Sequence, residues 1–303
     1  MKLDFRNLEL SDFDRVYSYM SVYGEGSCQH SFVSMYSTKE KYRDMICEKD
    51  GFLFTLRSGL CDEIYRVYMA PFGNGDIRAA FEAIFDDAAA YGRKVRFFTV
   101  TEKYALLLDD LFPGRFEISE NEDYAEYIYE YGNMSTFDGP ALRKRRAEIR
   151  TFQIKYGERA RCSIITHDDF PEIVEYEKKW LSDCAETHDM DSLTKEARMI
   201  FSQLDEYDRL RLNGITLRID SKLCGFCYGT MLDSLHYDVI IEKADREIPH
   251  AYKMIRLMNT RMCVPEGGFV NMEEDIGVPG LRAIKQAYKP DVMLRKYVAK
   301  ERG

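Results

Sequence analysis

A chain of 303 residues is long enough for two domains with substantial cores, and 45% hydrophobic against 31% charged residues excludes disordered, collagen-like and coiled-coil classes. Forty-three Lys+Arg against 52 Asp+Glu leave a formal charge of −9, so the average field attracts no polyanion and any such site must be local. No 18 apolar residues run together, and the start, Met1 to Arg6, lacks the apolar core of a signal peptide, so the expected location is the cytoplasm.

In chain order, Ser11-Asp12 caps an amphipathic helix that runs through Tyr19. The alternation of 51–57 predicts a strand, followed by a Ser58-Gly59 turn and a second strand. A helix is expected over 76–91, then Gly92, a strand over 95–102 and a further helix. Residues 117–130 hold six acids and no base, with Tyr124, Tyr127 and Tyr129 interleaved, which reads as a solvated acidic strand or edge. Between 138 and 161 there are eight Lys/Arg against three Asp/Glu. Pro140 suits a first helical turn, so a basic connecting helix is expected from 140 to 154.

The second half repeats this order. Thr166 to Asp169 caps a helix from Phe170; 214–219 and the run Lys222 to Met231 form a hairpin; a helix covers 251–262; Gly267-Gly268 leads into a strand over 269–275. A tandem duplication follows, each copy with one crossover between strands. The expected organisation is an N-terminal domain over 1–133, the connecting helix over 134–160 and a C-terminal domain over 161–303. Trp180 and its neighbouring aromatics are assigned to the core.

Eight scattered cysteines suit a reducing compartment. The spacing Cys224-Gly-Phe-Cys227 falls in a predicted strand, where buried small hydrophobes are expected rather than a redox or metal pair. His30, His167 and His250 have no ligand spacing, and His188-Asp189-Met190-Asp191 reads as an acidic loop. No metal site is argued.

Polar residues concentrate at predicted strand ends of the second half. In 235–243, strict alternation puts His236, Asp238 and Glu242 on one face, and in 271–277 it puts Asn271, Glu273 and Asp275 on another. Glu242, Asn271, Glu273 and Asp275 are the candidate catalytic residues, since a carboxylate at a strand's C-terminal end can act as general base toward an amine. His236 and Asp238 are candidate substrate-binding residues. Arg282 and Lys285, three apart on a helix after a Gly/Pro turn, join them as a cationic rail for phosphate or carboxylate. Arg143, Arg146 and Arg150 are the candidate polyanion contacts.

The run Asn271-Met-Glu-Glu-Asp275-Ile-Gly277-Val-Pro-Gly280-Leu281-Arg282-Ala-Ile-Lys285-Gln-Ala-Tyr288-Lys-Pro290 resembles the signature of the bacterial family of the phosphatidylglycerol lysyltransferase C-terminal domain. Pro71-Phe72-Gly73, the Tyr-rich acidic strand, the basic helix and Glu242-Lys243-Ala244 agree in order. The resemblance implies an α/β (α+β) fold of two tandem GNAT-like (acyl-CoA N-acyltransferase-like) domains, each a mixed sheet flanked by helices, an arrangement shared with Fem-type aminoacyltransferases. It implies transfer of an acyl or aminoacyl group to an amine or hydroxyl, with acyl-CoA or aminoacyl-tRNA as donor and tRNA or an anionic phospholipid as partner at the connecting helix.

The loop 244–251 has no glycine, two further acids and Pro249, so it offers a diphosphate few amides. In the first half, 71–76 has two glycines, but Ala70 stands where the CoA motif carries Gln or Arg. A CoA-independent donor, aminoacyl-tRNA, is thereby favoured. The alternative is a non-catalytic binding protein for an amino-acid-like ligand on the same duplicated scaffold.

Overall fold

The echo between the two halves is carried by the backbone: each half contains a parallel strand–helix–strand crossover beside antiparallel strands. The computed structural model describes residues 2–184 and 190–303. In chain order they form β1 (Arg6–Asn7), α1 (Phe13–Tyr23), α2 (Phe32–Ser37), α3 (Lys39–Tyr42), β2 (Asp44–Lys49), β3 (Phe52–Arg57), β4 (Tyr65–Tyr68) and β5 (Phe72–Gly73). Then come α4 (Ile77–Ala89), β6 (Lys94–Thr101), α5 (Glu102–Leu111), β7 (Phe116–Glu120), β8 (Glu126–Glu130), α6 (Tyr131–Thr136), α7 (Arg143–Tyr156), β9 (Ala160–Ile164) and α8 (Phe170–Cys184). After α9 (Met190–Asp205) follow β10 (Asn213–Ile219), β11 (Lys222–Met231), β12 (His236–Ala244), α10 (Ala251–Cys263), β13 (Phe269–Glu274), α11 (Pro279–Gln286), β14 (Val292–Leu294) and β15 (Lys296–Glu301).

Unit 1 comprises Met1–Ile128 and Glu273–Gly303. Its sheet has the order β1-β2-β3-β4-β6-β15-β7, with β5 on β3. Only β4 and β6 run parallel, as their joining helix α4 requires. Asp76 caps α4 by accepting from Ala79 N at 3.1 Å. Ala80, Phe81, Ile84, Phe85 and Ala88, at three- and four-residue spacing, bury one face. Phe81 packs edge to face on Phe97 of β6 at 5.5 Å, and Phe85 on Phe112 at 4.9 Å. Burying such a ring contributes about 1.5–3 kcal/mol.

Unit 2 is Tyr129–Met272. Its sheet runs β13-β12-β11-β10-β9, with β12 parallel to β13 through α10 and the rest antiparallel. Helix α10 lies close because Gly225 of β11 has no side chain: a Cβ there would stand 2.5 Å from Ile255 Cδ1. Between Tyr228↔Ile241 and Gly229↔Val239, β12 carries one extra residue, Ile240, a β-bulge.

Several expectations are revised. The domain limits expected at 134 and 160 differ from the compact units, which divide at 128/129 and 272/273. The physical reason is strand pairing: β15 hydrogen-bonds both β6 and β7, and β14 bonds β8 at Val292↔Ile128, so residues 273–303 belong with unit 1. The basic helix starts at Arg143, three residues after Pro140, and belongs to unit 2. The acidic stretch is two strands of opposite character. Beyond the buried Phe116, β7 is the largely exposed edge that was expected, whereas in β8 Glu126, Tyr127, Ile128 and Tyr129 are all buried. Met190 and Asp191 open α9 rather than lying in a loop; His188 and Asp189 fall outside the described residues. Trp180 is half-buried. Among the described residues no helix is long and apolar enough to cross a membrane.

Candidate functional site

In unit 1 the loop at 24–31, strand β8, the end of β13, helix α11 and strand β15 bring a polar cluster together. Lys296 of β15 and Glu126 of β8 are fully buried and paired at 2.6 Å. Ser27 Oγ donates to Glu126 Oε1 at 2.7 Å and Cys28 N to Oε2 at 3.0 Å, while Lys296 Nζ also donates to Ser27 Oγ. Next to it, Gln29 Nε2 donates to Glu274 Oε1 at 2.7 Å and Cys28 Sγ to Oε2 at 3.5 Å.

Glu273 sits in the left-handed region, at φ 56°. A non-glycine residue held there stores strain, a feature that clusters at functional sites. Burial, then the negative charge of Glu274, pushes the Glu273 carboxyl up to about 8, against the downward pull of Lys285. Burial and then Glu126 raise Glu274 as well. Such a carboxyl can exchange a proton near neutral pH.

Asp275 is held differently. Arg282 Nε donates to its Oδ2 at 2.8 Å and Nη2 to its Oδ1 at 3.0 Å; Tyr127 Oη donates to Oδ2 at 2.5 Å and Gly277 N to Oδ1 at 2.9 Å. Burial alone would raise this carboxyl, but Arg282, Tyr127 and the Gly277 amide together bring it down to about 2. Glycine is required at 277: φ is 74°, and a Cβ would stand 2.9 Å from the Asp123 carboxylate. Arg282 reaches that same carboxylate with Nη2 at 2.9 Å. Lys285 donates to the Glu274 carbonyl. The cationic rail read from the spacing is therefore engaged: both side chains hold the turn after β13.

The positive φ at Glu273 falls inside β13, which runs to Glu274. Glu274, which the alternation sets aside, faces Gln29 and Cys28. Cys28 Sγ and carboxylate oxygens of Glu126 and Glu274 lie within 4.8 Å of one another, as three ligands of a metal ion would, but the Lys296 ammonium already neutralises Glu126.

In unit 2 the bulge at Ile240 divides another expected constellation. Asp238 pairs across the sheet with Thr230 and Lys243 with Phe226, on the side of α8 and α9, where Lys243 Nζ lies 3.4 Å from Glu177 and 3.5 Å from the Trp180 ring centroid. Glu242 pairs with Cys227 on the opposite side, facing α10. There Arg256 binds it with two hydrogen bonds, at 2.5 and 3.0 Å, and both side chains are nearly buried. Glu242 is thus not on the face of His236 and Asp238, because one inserted residue shifts the pleat by one. Asn271 is fully buried and is the cross-strand neighbour of Asp238. His236 is fastened to Asp233 at 2.8 Å and stacks on Phe269 at 4.9 Å.

Cys224 and Cys227 are free and buried, and burial raises both thiols, consistent with packing residues. On α7, Arg143 and Arg150 are exposed, Arg145 pairs with Glu148, and Arg146 donates to the Phe137 and Gly139 carbonyls. Of the three polyanion candidates, Arg146 is therefore tied to the preceding turn.

Sequence reasoning missed Ser27, Cys28, Gln29, Glu126, Lys296 and Arg256. The run Gly24-Glu-Gly-Ser-Cys-Gln-His-Ser31, dense in functional side chains, was a usable signal. Nothing local distinguishes Lys296 from its neighbour Arg295.

Residues 21–300 match the family described as phosphatidylglycerol lysyltransferase, C-terminal. The chain belongs to this family. A conserved protein of unknown function from Bacteroides thetaiotaomicron superposes with a TM-score of 0.90 at 27% identity, over 99% of this chain and 100% of that one. L-PGS from Bacillus licheniformis superposes at 0.61 with 14% identity, over 95% and 91%, and FemX at 0.53 with 10%, over 98% and 97%. An uncharacterized protein of Mycoplasmoides gallisepticum is 22% identical over 180 residues, 59% of this chain; the match spans 57% of that protein's length. The fold is the tandem GNAT-like one, two mixed sheets flanked by helices, and family and fold make the chain aminoacyltransferase-like.

Proposed function

We propose that this chain transfers an aminoacyl group from aminoacyl-tRNA to the hydroxyl or amine of an acceptor, with Glu273 as general base. The observation that carries this reading is the strained, half-buried Glu273 beside Glu274. In its ionised form Glu273 takes the proton of the acceptor O–H or N–H, and the acceptor's electron pair attacks the ester carbonyl carbon. The bond from that carbon to the ribose oxygen then breaks, and the proton passes from Glu273 to the departing oxygen. Gln29 and Cys28 orient Glu274, and Arg282 with Asp275 holds the turn that fixes both acids. Glu242 with Arg256 acts structurally. Arg143 and Arg150 contact RNA or anionic-lipid phosphates. This assigns the chain to the cytoplasm, where charged tRNA is found.

The test incubates the chain with radiolabelled lysyl- or alanyl-tRNA and vesicles containing phosphatidylglycerol, and follows label into lipid. Glu273→Gln should slow transfer by roughly 10²–10⁴-fold with the fold retained. Full activity in Glu273→Gln, or no transfer by the unmodified chain, sinks the reading.

A further inference from the structure

Unit 1 has a separate cavity, of about 350 Å³, that the transfer chemistry above does not use. Tyr42, Phe98 and Tyr124 wall it, with Phe98 and Tyr124 edge to face at 5.2 Å, and Lys41, Arg96 and Lys300 stand around them. The acid in its lining, Glu120, already faces Arg295 at 3.8 Å. Behind Tyr42 and Phe98 lies Arg57, 1% exposed, its guanidinium carbon 4.6 and 5.8 Å from the two ring centroids. Arg57 Nε and Nη1 make no hydrogen bond, and the ion-pair distance to Asp44 is 3.8 Å. Arg96 Nε makes no hydrogen bond, while its Nη2 donates to the Leu60 carbonyl at 2.7 Å and its Nη1 lies 3.6 Å from the Asp62 carboxylate.

Three cations around three aromatic rings, with one already engaged acid, select a ligand that is both flat and anionic. An aliphatic anion leaves the rings uncovered, and a neutral aromatic leaves Lys41 and Lys300 without a counter-charge, Arg96 already facing Asp62 at 3.6 Å. The volume matches a small ligand of about one nucleotide, and base-on-aromatic stacking beside a cationic phosphate contact is the general means of holding single nucleotides. We propose that this cavity binds a nucleoside monophosphate unit, its base against Tyr124 and Phe98 and its phosphate at Lys41, Arg96 and Lys300.

Arg57 Nη2 donates to the Gln29 carbonyl at 3.4 Å, and the Gln29 side chain donates to Glu274. The cavity wall is thus two side chains from the carboxylate pair, which makes the ligand the terminal nucleotide of the aminoacyl donor. This last step rests on the function proposed above; the nucleotide site does not.

Equilibrium dialysis of radiolabelled AMP against the full chain tests it. Saturable AMP binding is expected, with adenosine and inorganic phosphate each at least ten-fold weaker. Lys41→Ala/Lys300→Ala and, separately, Tyr124→Ala should each weaken AMP at least ten-fold with an unchanged melting temperature. An RNA hairpin ending in single-stranded CCA should displace AMP and its blunt counterpart should not; displacement by coenzyme A alone would overturn the assignment to tRNA. Absence of AMP saturation, or phosphate binding as tightly as AMP, overturns the site. Glu273→Gln should bind AMP like the unmodified chain, so loss of transfer and loss of this site are read separately.

Discussion

Two sets of buried acids behave in opposite ways. In unit 2, Glu242 lies against Arg256, its charge answered by one guanidinium through two hydrogen bonds. In unit 1, Glu273 and Glu274 lie beside each other and near Glu126, whose own charge is answered by Lys296. An acid fixed to a guanidinium stays ionised and holds structure, whereas acids crowded together keep a proton that can be exchanged. The family motif carries both kinds within three residues, since Asp275, next in sequence to Glu274, is held at about 2 by Arg282 and Tyr127.

The largest effect that would break this contrast comes from Lys296→Met. It leaves Glu126 charged and fully buried, and a lost partner of that kind costs about 3–5 kcal/mol. Chemical denaturation should show a loss of that size, largely restored in Lys296→Met/Glu126→Gln; equal instability of both variants would contradict the pairing argument.

Next is the pH dependence of Glu273. Its folded value lies above the unfolded one, so the folded chain binds more protons and stability falls as pH rises from the ordinary Glu range through about 8. Transfer, which uses the ionised form, should rise over the same upper limb. In Glu273→Gln the stability profile should flatten there, and an unaltered slope in denaturation midpoints across pH 5–9 would show that Glu273 titrates elsewhere.

The smallest effect belongs to Asp275, whose folded value is depressed. Its contribution is present above the ordinary Asp range and is lost as pH falls through about 2. Asp275→Asn should remove that acid limb while leaving the profile above pH 6 parallel to the unmodified chain; circular dichroism during acid titration reads it.

Much of the fold was legible because periodicity is local. Hairpin β10–β11 and helices α4 and α10 fall within a residue or two of their expected limits, each marked by its turn and its apolar spacing. The site was legible only in part. The motif named Glu273, Asp275, Arg282 and Lys285, but the groups bound to this turn, Gln29 on Glu274, Tyr127 on Asp275 and Asp123 on Arg282, come from segments far away in the chain. Glu242 was placed on the wrong face because a bulge leaves no mark in a run as regular as 236–244.

By itself, then, the sequence determined the duplicated order of elements, the family motif and the concentration of positive charge on α7. The tertiary structure decided that the last 31 residues complete unit 1, that an acidic strand is buried around Glu126, and which acids are neutralised. The division follows from range: caps, turns and alternation are read over a few residues, whereas the ionisation of a buried acid depends on charges brought to it across more than a hundred.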